Sequence, residues 1–281
     1  MTLVLFCAVL IAATLHALWN FAAKKVAGDL STMWLGVCLA AVVSWPCAWL
    51  MYESAASTPS VLMYVGATGI LHVWYFALLA KAYEMGEMSV VYPVARGTGV
   101  AGTALIAWLY LHESISWLGW LGISTICTGT ALLGYSVGAQ RDHVTAYVHA
   151  LLVGAIIIGY SIVDKQAVGI IHPVVYISGM FTVTASLLAP YVLFYKRAAC
   201  WYAVRHLPGY IGLIGLGSIG TYLLILFAFR LGPVSYIVAT REFAVVVGAL
   251  LGFVVLKERL TARKLLGIIA IILGLILVKL A

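Results

Sequence analysis

The chain has 281 residues, of which 64% are hydrophobic and only 9% charged, against about 25% charged and 45–50% apolar residues in an ordinary soluble domain. So few charges cannot cover a water-facing surface, which excludes a soluble fold and leaves an all-α integral membrane protein. The net charge of +7 is scattered between apolar runs rather than gathered into a stripe, so no nucleic-acid partner is expected.

At roughly 20 apolar residues per crossing, polar interruptions divide the chain into ten predicted spans: 2–23, 31–52, 59–82, 87–111, 116–138, 145–166, 173–195, 207–229, 233–256 and 260–280. The first run has no basic leader and continues to Ala23, so it reads as a retained helix rather than a signal peptide. On it His16 and Asn20, four residues apart, share a face. The five cysteines (Cys7, Cys38, Cys47, Cys127, Cys200) form no CxxC pair, and neither a disulfide framework nor a metal or other cofactor is expected. The third span carries His72, Trp74 and Tyr75, which can line a cavity or simply pack between helices.

In the fourth span Pro93 predicts a bend, and Arg96 lies near the middle, where an ionised side chain costs a few kcal/mol unless it meets a cavity or a partner. Gly122 and Gly129 on the fifth span, and Gly267 and Gly274 on the tenth, recur at seven-residue spacing; with the GxxxG pairs Gly134/Gly138 and Gly248/Gly252 they suit close helix packing, within one chain or in a homodimer. Tyr160 and Asp164 on the sixth span repeat the spacing of His16 and Asn20, and Asp164, close to its span's end, also suits a cap at the interface. The polar connection at 196–206 contains Trp201 and Tyr202, which favour the membrane surface. The ninth span holds Arg241 and Glu242; this deeply placed acid can carry a coupling proton or act as a permanent counter-ion. GxGxxG strings at Gly97–Gly102 and Gly215–Gly220 lie inside apolar runs with no preceding strand, so they are not dinucleotide sites. No HExxH, GxSxG or Walker sequence is present, and no enzyme is expected.

The chain repeats itself. "MGEMSVVYPVAR" (85–96) matches "LGPVSYIVATR" (231–241) with one residue deleted, and from Arg96 an offset of 145 pairs Arg96 with Arg241, Glu113 with Glu258, Gly122 with Gly267 and Gly129 with Gly274. Matched Arg and Glu positions are informative where matched apolar ones are not. The two units are predicted at residues 1–138 and 145–281, and five helices in each make the second enter the membrane from the opposite side, an inverted repeat. Eleven lysines and arginines follow odd-numbered spans and three lie on the other side, which by the positive-inside rule places both termini outside the cytoplasm.

"HALWNFAAKK" (16–25), "VYPVARG" (91–97) and the paired loops "LHES" and "LKER" resemble EamA-type members of the drug/metabolite transporter superfamily over essentially the whole chain. The resemblance implies ten helices in two inverted five-helix repeats, a multi-pass protein of the cell's inner membrane, and cytoplasmic termini, so orientation stays open. It also implies a secondary transporter of a small metabolite in a lipid bilayer. Arg96 and Arg241 can converge on the anionic group of an amino acid, organic acid or phosphonate-like solute, with His16, Asn20, His72, Tyr75 and Tyr160 shaping the site and Glu242 or Asp164 carrying a coupling proton. The competing arrangement pairs each arginine internally, Arg241 with Glu242 and Arg96 with a helix-end carbonyl or another acid. Competing functions are a proton-coupled exporter of cationic drugs and, from another class, a non-transporting membrane scaffold or intramembrane enzyme.

Overall fold

The computed structural model describes residues 1–52, 59–85, 88–134, 141–255 and 261–281, and every regular element among them is helical. In chain order they are α1 (Leu3–Lys25), α2 (Leu30–Leu50), α3 (Pro59–Met85), α4 (Met88–Tyr110), α5 (Trp117–Gly134), α6 (Arg141–Ala167), α7 (Pro173–Tyr195), α8 (Arg197–His206), α9 (Pro208–Leu231), α10 (Val234–Thr240), α11 (Phe243–Val255) and α12 (Ala262–Leu280). Eight stretches are long and apolar enough to cross a membrane: α1, α2, α3, α5, α6, α7, α9 and the joined stretch Val234–Val255. Helix α4, which contains Arg96, and α12, which opens on Arg263 and Lys264, fall outside that count.

Local chemistry sets the boundaries. Asp29 caps α2, its carboxylate accepting from the backbone N–H and the hydroxyl of Thr32 at 2.9 and 2.7 Å. Pro173 and Pro208 open α7 and α9, where no backbone donor is missed. Glu113, just beyond α4, caps α10 by accepting from the Val234 and Ser235 amides at 2.6 and 3.1 Å and from the Ser235 hydroxyl at 2.6 Å. Its repeat partner Glu258, like Gly138, lies outside the described residues.

The repeats interlock. Taking α1, α2, α3, α4 and α5 as equivalent to α6, α7, α9, α10–α11 and α12, the packing comes in matched couples: α1 on α9 mirrors α3 on α6, and α2 on α9 mirrors α3 on α7. The contacts of α5 with α12, α2 with α7 and α4 with α10 map onto themselves. In the α5–α12 seam a Cβ on Gly122 would sit 3.0 Å from the Gly274 carbonyl oxygen, and one on Gly129 would sit 2.7 Å from that of Gly267. The seven-residue glycine spacing therefore serves packing within the chain, between equivalent antiparallel helices, and these glycines are not free to form a dimer surface. Most of the extensive helix packing runs between the repeats rather than within them.

Two elements depart from the expected spans. The connection after α7 is a ten-residue helix, α8, with Cys200 and Ala203 turned inward and Trp201 and Tyr202 exposed. The ninth span is also discontinuous, breaking at Arg241 and Glu242 between α10 and α11, whereas α4 passes through Pro93 as one helix. At the break the Ala244 and Val245 amides donate to the Arg241 and Glu242 carbonyls at 3.0 and 2.9 Å, a tighter three-residue pattern in place of the α-helical one.

Candidate functional site

Around the bundle centre, α1, α3, α6, α7, α9 and the α10–α11 break enclose a cavity of about 20 Å³, lined by His16, Trp19, His72, Tyr75, Phe76, Tyr160, Met180, Phe181, Ser218, Thr221, Tyr222 and Arg241. That volume holds about one water molecule. Five of the expected site residues, His16, His72, Tyr75, Tyr160 and Arg241, thus meet in one place. Trp74, expected beside them, is 57% exposed on the outer face of α3; residues 72 and 74 lie about 200° apart around a helix, so they cannot share a wall.

The aromatic groups form a tight box. The His72 ring centre lies 4.7 Å from that of Tyr160 and 5.1 Å from that of Tyr222, and the Trp19 ring meets His16 edge-on at 5.1 Å. His72 Nδ1 donates to the Thr68 carbonyl at 2.8 Å, which selects the tautomer that leaves Nε2 as an acceptor. Four polar atoms of cavity residues have no hydrogen-bond partner in the protein: His16 Nε2, Ser218 Oγ, Thr221 Oγ1 and one terminal nitrogen of Arg241. Buried polar atoms are normally satisfied, and these four gather around one void.

The two arginines differ in company. Arg96, 3% exposed, does not reach the cavity wall; its Nη2 lies 2.6 Å from Oε1 of the fully buried Glu242. The contact is a single-point ion pair, and no other group of the protein hydrogen-bonds either carboxylate oxygen of Glu242. Glu242 therefore pairs across the repeat interface, not with its neighbour Arg241, because adjacent residues of a helical chain point in different directions. Arg241, equally buried, is left facing the cavity.

Asp164 is fully buried rather than at the interface, and its carboxylate accepts from Thr68 Oγ1 at 2.8 Å, from Tyr176 OH at 2.7 Å and from Tyr222 OH. Tyr222 joins it to the cavity wall. Asn20, at the equivalent place on α1, does not line the cavity: its amide donates to the His16 carbonyl at 2.9 Å and accepts from Tyr83 OH at 3.1 Å. Among the described residues no cluster of His, Cys, Asp or Glu could hold a metal ion.

The model of the EamA-like transporter family matches residues 3–135 and again 144–280. The chain belongs to the EamA-like transporter family. This places it among the membrane transporters of the drug/metabolite superfamily, with two EamA repeats in one chain. It is similar to the nicotine metabolites export pump subunit NepA of Paenarthrobacter nicotinovorans, 31% identical over 72 residues, which is 26% of this chain and 62% of that protein. It is also similar to the spermidine export protein MdtI of Yersinia enterocolitica, 30% identical over 61 residues, 22% of this chain and 56% of that one. The matched segments thus span little more than half the length of these curated relatives. A crystal structure of a protein 18% identical in sequence superposes with a TM-score of 0.73 over 98% of this chain and 96% of that one, a likeness of fold alone.

Sequence reading missed much of the EamA cavity wall. Ser218, Thr221 and Tyr222 lie three and four residues apart on α9, a polar stripe that the helical period could have revealed. Trp19 and Phe76 adjoin expected site residues at helical spacing. Met180 and Phe181 of α7 had no signal, since apolar side chains at a site look like any other core.

Proposed function

We propose that this protein is a secondary active transporter of the inner cell membrane that moves a small anionic or zwitterionic metabolite with an aromatic or apolar body by alternating access. The carrying observation is Arg241: a buried guanidinium with a partnerless nitrogen, facing a void boxed by Tyr75, Tyr160, Tyr222 and two histidines. A guanidinium suits a carboxylate or phosphonate oxygen, and the rings suit an organic body. The ten spans of this reading are α1 to α7, α9, the α10–α11 pair and α12, with α8 lying along the membrane surface. The five-helix repeats, residues 1–138 and 145–281, rock against each other to expose the site to either side, which the matched packing couples support. At about 20 Å³ the cavity must widen for any metabolite. Among the described residues, Glu242 and Asp164 are the fully buried acids able to carry a coupling proton.

The test is flux in proteoliposomes loaded with benzoate, phenylphosphonate, phenylalanine or tetraethylammonium. Anion or zwitterion flux that falls about 100-fold in Arg241→Ala is expected, in line with about 1.5–3 kcal/mol for a hydrogen bond to a charged group. A second reading, proton-coupled export of organic cations, is favoured by the relative whose name gives spermidine, a polycation, and by Asp164 behind the aromatic box. Flux of the cation alone, unchanged in Arg241→Ala and lost in Asp164→Asn, would select it. No flux of any solute by folded protein would leave a scaffold.

A further inference from the structure

The inequality of the two arginines has a functional consequence that rests on reading Arg241 as the ligand for the substrate's anionic group. Glu242 touches Arg96 and also lies within the electrostatic reach of Arg241, and the same field covers Tyr92 of α4 and Cys127 of α5, the other ionisable groups around it. His16, on the cavity wall, lies within the electrostatic reach of both arginines. Two features make the Arg96–Glu242 contact exchangeable. It is a single-point ion pair, Nη2 to Oε1 at 2.6 Å, with no other group of the protein hydrogen-bonded to either partner's charged atoms; and Glu242 sits in the helix break, where its backbone is held by a tightened turn rather than a continuous helix. The first repeat has Gly97 in the place of Glu242, so the protein holds two equivalent cations and only one such anion.

We infer that Glu242 is a tethered anion that occupies Arg96 while the site is empty, and that the oxyanion of the substrate displaces it, so that Arg96 and Arg241 close on the substrate together. The ligand class is an organic oxyanion with at least two acceptor oxygens, one for each guanidinium. Exchanging one anion for another at Arg96 keeps that cation paired before and after, and the displaced Glu242 carboxylate, left without its cation, takes up a proton. Glu242 is then a specificity device: a solute without an oxyanion cannot release the pair.

Calorimetric titration and thermal stabilisation of the purified full chain by benzoate and by phenylphosphonate, with tetraethylammonium as the cationic control, test this. With its competitor gone, Glu242→Gln should bind both anions about tenfold tighter than the parent protein and show the larger ligand-induced rise in Tm, and Arg96→Ala added to it should erase the gain. Glu242→Asp, with a shorter reach to Arg96, should fall between and serves if the glutamine variant does not fold. Unchanged or weaker anion binding in both Glu242 variants, with binding still lost in Arg241→Ala, would overturn the tethered anion and leave the anion site standing. Anion binding indifferent to Arg241→Ala would instead remove the anion site itself, and the inference with it.

Discussion

Arg96 and Arg241 occupy equivalent positions in the two repeats and have opposite situations. On α4 the arginine is followed by Gly97, the helix continues, and the guanidinium, which does not line the cavity, forms an ion pair. At the end of α10 the arginine is followed by Glu242, the helix breaks, and the guanidinium faces the void. A single acid, present in one repeat and absent from the other, thus makes a symmetric frame hold an asymmetric site. A similar divergence separates Asn20 from Asp164: one amide held by a single tyrosine hydroxyl and a backbone carbonyl, the other a carboxylate held by three hydroxyls. Inverted repeats need equal backbones to exchange conformations, but a site that binds one solute in one orientation needs unequal side chains.

The comparison can be broken most forcefully at the ion pair. Glu242→Ala leaves Arg96 as an uncompensated buried cation and should cost about 3–5 kcal/mol of stability, read as the loss of Tm in lipid nanodiscs. Arg96→Ala added to it should restore part of that loss, while Arg241→Ala alone should be milder than Glu242→Ala; equal costs for Arg96→Ala and Arg241→Ala would mean that the arginines are not as differently placed as the geometry says. Next in size is Tyr222→Phe, which removes a hydrogen bond to a carboxylate and should cost about 1.5–3 kcal/mol, against about 1 kcal/mol for Tyr83→Phe, whose acceptor is neutral Asn20. Matching losses in the two tyrosine variants would indicate that Asp164 is held in its protonated form. Smallest is a pair expected to agree: Gly129→Ala and Gly267→Ala each push a methyl against the other helix's carbonyl, at 2.7 and 2.8 Å, and should cost about 1–3 kcal/mol apiece. Unequal losses there would show that the seam is less symmetric than its contacts.

The repeat was legible because matched Arg, Glu and Gly positions stand out against an apolar background. The cavity was legible only in part: His16, His72, Tyr75, Tyr160 and Arg241 were conspicuous as polar or aromatic groups inside spans, and they converge. Asn20 and Arg96 were conspicuous for the same reason and do not reach the wall. The polarity of a residue in a membrane helix says that it needs a partner, but not whether that partner is a ligand, a carbonyl or another side chain. For Asp164, counting residues to the span's end suggested an interface cap, whereas α3, α7 and α9 supply three donors that bury it.

The sequence by itself determined that this is a helical membrane protein with an internal repeat, because hydrocarbon solvent imposes apolar runs and pairs every backbone group within a helix. It also determined that two arginines and one acid, Glu242, must be accommodated in the interior. Tertiary structure decided how: which arginine Glu242 neutralises, which one faces the cavity, where the ninth span breaks, and that α5 and α12 close on each other's backbones. These depend on direction and distance between residues roughly 120 to 150 positions apart in the chain, and neither hydropathy nor helical period carries that information.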